Sequence, residues 1–135
     1  MSTRVYLPLT AERLAALVAD ARLPGPLDAH AVTEGLRDSW PDGDDEGWEY
    51  AALSAAADES WSLRGVGARR IVVAADVGSV ESREMEGEPT AVRVTGDLTW
   101  KHVAAAHVDV DDQTDATVEG SELAWFATQE IADLA

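Results

Sequence analysis

From Arg4 to Leu9 the chain alternates, with Val5, Leu7 and Leu9 on one side and Arg4, Tyr6 and Pro8 on the other. That period of two predicts a strand with one buried face. Pro8 has no N–H for a ladder, so the strand is expected to end there or to lie at a sheet edge. Thr10 suits an N-cap, and Leu14, Leu17, Val18 and Ala21 follow at helical spacing. Leu23-Pro24-Gly25-Pro26 stops that helix. Leu27 to Val32 reads as a second strand, and Glu34 to Ser39 as a turn or short helix. Trp40-Pro41-Asp42-Gly43-Asp44-Asp45-Glu46-Gly47 has loop composition. A helix is expected from about Trp48 to Arg64, with Tyr50, Leu53, Ala57 and Trp61 on its buried stripe and Gly65 at its end.

Ile71 to Ala75 is a continuous apolar run, the signature of a central strand covered on both faces. Residues 78–90 are charged and carry Gly87 and Pro89, which predicts a loop. Val92 and Val94 alternate with Arg93 and Thr95 as a fourth strand, and Leu98 to His102 suggests a single helical turn. Val103 to Val110 is expected as a fifth strand, with Ala104, Ala106, Val108 and Val110 on one face. After an acidic loop from Asp111 to Gly120, Ser121 would cap a final helix with Leu123, Ala127, Ile131 and Leu134 on its buried stripe. These elements predict a single α+β domain over residues 1–135, with a mixed sheet of about five strands and three main helices packed mostly on one face.

Charge changes this picture more than composition does. The chain has 26 acidic residues against 10 basic ones, a formal net charge of −16. Such a surface repels phosphates and anionic lipids, so no direct nucleic-acid or membrane binding is expected, and a protein partner is. Cysteine is absent, which excludes disulfides, thiolate metal sites and a cysteine nucleophile, and fits a reducing compartment. The first ten residues lack a basic region followed by a long apolar run, and no stretch is long and apolar enough to span a bilayer, so a cytoplasmic location is expected.

The candidate chemistry is sparse. Asp42-Gly43-Asp44-Asp45-Glu46-Gly47 resembles the front half of an EF-hand calcium loop, but its twelfth position is Leu53 where a bidentate glutamate belongs. His107, Asp109 and Asp111 would share one strand face, a weak pattern for a divalent metal, and no metal or cofactor is predicted. His30 would share a face with Asp28, either as a base oriented by that carboxylate or as a structural histidine. No Gly-rich phosphate loop, nucleophile elbow or HExxH motif is present, so no catalytic residue is assigned. Five tryptophans are the strongest binding signal: Trp40 and Trp48 flank the acidic loop and Trp100 lies in a turn. Trp40, Asp42, Asp44, Asp45, Trp48 and Trp100 therefore form the expected partner-binding surface.

Arg4-Val-Tyr-Leu-Pro-Leu-Thr10, Arg69-Arg-Ile-Val-Val-Ala-Ala-Asp-Val77 and Glu122-Leu-Ala-Trp-Phe-Ala-Thr-Gln-Glu-Ile131 together resemble a family of small acidic actinobacterial proteins of unknown function. Leu27-Asp-Ala-His-Ala-Val-Thr33 and Ala104-Ala-Ala-His-Val-Asp109 extend the resemblance over most of the chain. It implies a cytoplasmic origin and no particular activity. The order of elements also resembles that of small ADP-ribosyltransferase-like domains, which would imply a nucleotide pocket near Tyr6, Thr10, His30 and Tyr50. Two function classes follow: a non-enzymatic protein-binding or regulatory module, and, as the alternative, a nucleotide- or NAD-handling domain.

Overall fold

The computed structural model describes residues 2–63, 69–109 and 123–134. Its first strand, β1 (Thr3–Leu9), runs straight into α1 (Ala11–Asp20). The switch is made by Thr10, whose extended backbone and side-chain oxygen cap the helix by accepting from the Arg13 N–H at 3.3 Å. Two short strands follow, β2 (Arg22–Leu23) and β3 (Leu27–His30), then α2 (Glu34–Ser39) and α3 (Asp45–Leu63). The second half contributes β4 (Ile71–Val77), β5 (Val80–Ser82), β6 (Ala91–Val94), β7 (Leu98–Thr99), β8 (Val103–Val108) and β9 (Ala124–Ala127). Single 3-10 stretches occupy Trp100–His102 and Thr128–Leu134.

Among the described residues, seven strands form one sheet in the order β5-β6-β3-β1-β4-β8-β9, and β2 pairs β7 separately. Every pairing is antiparallel, so the expected mixed sheet of five strands is corrected to a larger antiparallel one. β1 lies in the middle and is registered along its whole length with β4, from Thr3 opposite Val77 to Leu9 opposite Ile71. Its ladder with β3 registers only at Tyr6–His30. Pro8 is thus tolerated two residues beyond that pair, in a central strand and not at an edge, because the neighbour it would have donated to is no longer laddered there.

Both faces of this centre are buried, by different helices. Val5, Leu7, Leu9, Val73 and Ala75 pack with Leu14 and Leu17 of α1, whereas Tyr6, Val72 and Ala74 pack with Ala52, Ala56 and Ala57 of α3. The expectation of helices mostly on one face fails here. The apolar run of β4, covered on both faces as its sequence predicts, needs a helix on each side.

The contact face of α3 also differs from the predicted stripe. Tyr50 is 69% exposed, and the helix buries Ala52, Ala55, Ala56, Ala57 and Ser60. Small side chains let the helix axis approach the flat centre of the sheet, where the larger Tyr50 would not fit. Ser60 is fully buried and bridges the end of the central ladder: its hydroxyl donates to the Leu9 carbonyl at 2.9 Å and accepts from the Ile71 N–H at 2.9 Å. Ser60→Ala strips both backbone groups of that partner and is expected to cost about 1–3 kcal/mol in urea unfolding. A change inside about 0.5 kcal/mol would mean that those groups are satisfied without the hydroxyl.

The C-terminal segment is a strand followed by a 3-10 stretch, not the expected helix. β9 closes on the free edge of β8, with Trp125 opposite His107 and Phe126 opposite Ala106. Aromatic residues suit a pleated surface, and the pairing of four successive residues outweighs their marginal helical spacing. Thr128 ends the strand by donating to the Val103 and Ala104 carbonyls at 3.1 and 2.9 Å. In β8 the register shifts opposite Ala74/Ala75, so Val103 shares the core with Ala106 and Val108, and Ala104 drops off their face. Val110, Asp111, Gly65 and Ser121 lie outside the described residues.

Candidate functional site

The loop between α2 and α3 is shorter and better ordered by its own contacts than its composition implies. α3 begins at Asp45, and Asp44 is its cap: Oδ1 accepts from the Gly47 N–H at 2.8 Å and its carbonyl from the Trp48 N–H at 2.8 Å. Asp45 and Glu46 then sit in the first turn, at the positive end of the helix dipole. Most of what an EF-hand would use as its ligand loop is therefore helix.

This cap gathers the two flanking tryptophans. The Trp48 indole N–H donates to the Trp40 carbonyl at 3.1 Å, and the Gly43 N–H donates to the same oxygen at 3.1 Å. The Trp40 ring lies over the glycines: a Cβ on Gly43 would fall 2.8 Å from Trp40 Cδ2 and 2.6 Å from Trp48 Nε1, and one on Gly47 would fall 2.8 Å from Trp40 Cη2. Only glycine permits that approach. Arg37 places its guanidinium 5.5 Å from the Trp48 ring centroid, which covers one indole with a cation. Trp40 stays 44% exposed, and Asp42, Asp44, Asp45 and Glu46 are exposed around it. Asp42 and Asp45 make no ion pair among the described residues.

Of the expected surface, five residues thus come together and one does not. Trp100 packs against the α1-side core, on the opposite face of the sheet from α3, and its N–H donates to the Ala21 carbonyl at 2.9 Å.

Of the residues of the nucleotide-pocket reading, Tyr6 and His30 are neighbours across β1 and β3, whereas Thr10 and Tyr50 stand apart from them. Thr10 is spent on the α1 cap, Tyr50 stands in solvent, and Tyr6 donates its hydroxyl to Glu49 at 2.9 Å. Burial and the Glu49 carboxylate push the Tyr6 phenol well above its ordinary range, so it stays protonated. Arg4 forks onto Asp76 at 2.7 and 3.0 Å and holds that carboxyl below its usual value, but both side chains are some 40% exposed (40% and 42%), so the pair adds little stability. Of the weak metal pattern, Asp109 is 1% exposed and committed to Arg70, while burial lowers the His107 pKa.

His30 has partners that its own strand does not supply. It is fully buried, with Nδ1 2.8 Å from Thr90 Oγ1 and Nε2 2.7 Å from Glu59 Oε1. Arg83 grips the same carboxylate with Nη2 at 2.9 Å and Nη1 at 3.3 Å. Asp28, the partner expected from alternation, faces Arg93 at 3.3 Å and Arg83 at 3.8 Å instead. Hydroxyl, imidazole and carboxylate stand in the order of a hydrolytic triad. Thr90 is only 2% exposed, however, so no substrate carbonyl reaches its oxygen, and the line is a structural brace. Glu59, Arg83 and Thr90 were not legible individually. Their one sequence signal is the stripe Glu49, Ala52, Ala56, Glu59, in which carboxylates share helical spacing with the buried alanines and so must find polar partners on the sheet. Beside the brace lies a half-open cavity of about 300 Å³, lined by the first turn of α2 and the segment between β5 and β6.

With fold and sites in view, the class is an antiparallel α+β domain carrying an exposed indole ledge and a buried polar brace. The chain belongs to a family of unknown function, DUF6912, whose model matches residues 3–135. No curated protein and no solved structure matches it. No helix among the described residues is long and apolar enough to cross a membrane.

Proposed function

We propose that this chain is a non-enzymatic protein-binding module whose contact surface is Trp40, Trp48 and the acidic turn Asp42, Asp44 and Asp45 between them. The observation that carries the reading is the exposure of Trp40, whose ring lies over Gly43 and Gly47 beside the capped start of α3. A rigid exposed indole loses little entropy when a partner covers it, which is why tryptophan dominates binding hot spots. The unpaired carboxylates around it and the net charge of −16 favour a partner with a basic face. The hydroxyl–imidazole–carboxylate line lies apart from this surface, with His30 and Thr90 buried.

The test is affinity capture from the host's cytosol with the wild type and Trp40→Ala, followed by titration of the captured protein. A stoichiometric partner is expected, with affinity reduced at least about 30-fold by Trp40→Ala, the loss typical of a hot spot. Its binding is expected to weaken with salt, and the melting temperature of Trp40→Ala to stay near that of the wild type. A partner that binds the variant equally well would remove the proposed surface.

A further inference from the structure

We propose that His30 is a proton-operated latch: its neutral ring ties residues 84–90 and the start of α2 to the body of the fold, and its protonation releases them. The inference stands apart from the partner-binding reading.

The geometry fixes the proton inventory. Glu59 is held ionised by Arg83 and by His30, so the short contact to His30 Nε2 is an N–H donated by the ring. His30 Nδ1 is then a bare lone pair and accepts from the Thr90 hydroxyl. Protonation puts a hydrogen on Nδ1, and the Thr90 hydroxyl has to turn its own hydrogen away. No other acceptor for it is found among the described residues, and Thr90 is buried. A buried donor is thereby orphaned. The new imidazolium also stands 3.4 Å from Arg83 Nη2, so two cations share the one Glu59 carboxylate.

Other charges face the ring as well. Glu88 favours the charged form, Tyr6 lies across the strand from His30, and Asp28, with Arg93 opposite it, shares the face. Burial is the largest effect and wins over the pull of Glu59 and Glu88, with Arg83 adding to it, so the ring titrates below its ordinary value. The closed state therefore binds its proton more weakly than an opened one, whose ring returns to about 6.5. Closure is complete above that value and is lost as pH falls through the range below it.

What lets go is defined by the remaining hydrogen bonds. Thr90 accepts from the Ala31 N–H through its carbonyl at 2.9 Å, and Pro89 accepts from the Thr33 hydroxyl at 2.6 Å. That same Thr33 oxygen caps α2 by accepting from the Leu36 N–H at 3.0 Å. Arg83 stays tied to the Val92 and Ala29 carbonyls at 3.2 Å each, whereas residues 84–87 are exposed, so the release concerns residues 84–90 and opens the cavity that they share with the first turn of α2. β1 and β4 do not depend on it.

The experiment is hydrogen exchange resolved by residue at pH 7.5 and 5.0, corrected for intrinsic rates, together with an NMR titration of the His30 ring. Exchange at the hydrogen-bonded amides that report on this segment, Ala31, Glu88 and Ala91, and at Leu36 and Arg37 of α2, is expected to rise by about tenfold or more in acid, with a midpoint matching that of the ring, while Val72–Ala75 keep their protection. His30→Gln retains a donor toward Glu59 and is expected to make exchange at those amides independent of pH. Should that variant not fold, the wild type decides: protection at those amides unchanged at pH 5.0, loss spread evenly over the core, or a ring that titrates at or above 6.5 would each overturn the latch.

Discussion

Asp109→Ala is expected to destabilise the fold by about 3–5 kcal/mol, measured by chemical unfolding at neutral pH, the loss typical when half of a buried ion pair is removed. Arg70 and Asp109 stand one residue beyond the last registered pair of β4 and β8, Ile71 with Val108, and clamp the two strands at that end. The Arg70 side chain is 9% exposed and that of Asp109 1%. One carboxylate accepts from the Arg70 backbone N–H at 2.8 Å, from Nε at 3.0 Å and from Nη2 at 2.7 Å. The Asp109 N–H returns a bond to the Arg70 carbonyl at 3.2 Å. Truncation therefore takes the Asp109 carboxylate away from the Arg70 guanidinium and peptide N–H together. Replacing both ends by apolar residues, Arg70→Met with Asp109→Leu, is expected to recover most of the loss, since breaking a buried pair costs more than removing it. A double variant no better than the single one would show that the bond from the Arg70 backbone N–H to the carboxylate carries the clamp.

Leu7→Ala is expected to cost about 2–5 kcal/mol in the same assay, because the cavity it opens is enclosed by rigid neighbours. Leu7 is fully buried at the midpoint of β1, opposite Val73, and α1 covers it with Leu14 and Leu17. β1 is paired on both sides, so it has little freedom to close over the missing volume. Tyr50→Ala removes a larger side chain and is expected to stay within about 0.5 kcal/mol, because that ring is in solvent. The contrast tests which residues of the apolar pattern face the core. Equal losses from the two variants would contradict the packing described for α3.

The elements with a strong local period were legible in the sequence: β1, α1 with its Thr10 cap, β4, β6 and β8 all lie close to where alternation or helical spacing places them. The misses have physical reasons. α3 buries alanines, which also populate its flanks, so the larger Tyr50 drew the predicted stripe away from the true contact face. β5 and β9 are short edge strands whose pairing is decided by the neighbour they close on, and nothing within three or four residues records that neighbour. Pro8 argues for an edge by local logic, and the actual exception is set by where the β1–β3 ladder stops. The candidate surface divides in the same way. Trp40, Trp48 and the acids between them are neighbours along the chain and stay so in space, whereas Trp100 is carried to the other face. The His30 brace draws on residues 30, 59, 83 and 90, and no local pattern connects positions so far apart.

The place of β1 also sets a condition on synthesis. β1 is made before every other strand of its sheet and occupies the centre, but its full-length partner is β4, which is finished only at Val77. Until then Val5, Leu7 and Leu9 are held by α1 and by a single registered pair with β3. More than half of the chain must therefore emerge before the core has both of its walls, and the order of manufacture runs against the order of assembly. A nascent chain halted before Val77 carries an apolar strand with nothing to close it, the kind of exposed edge that chaperones hold.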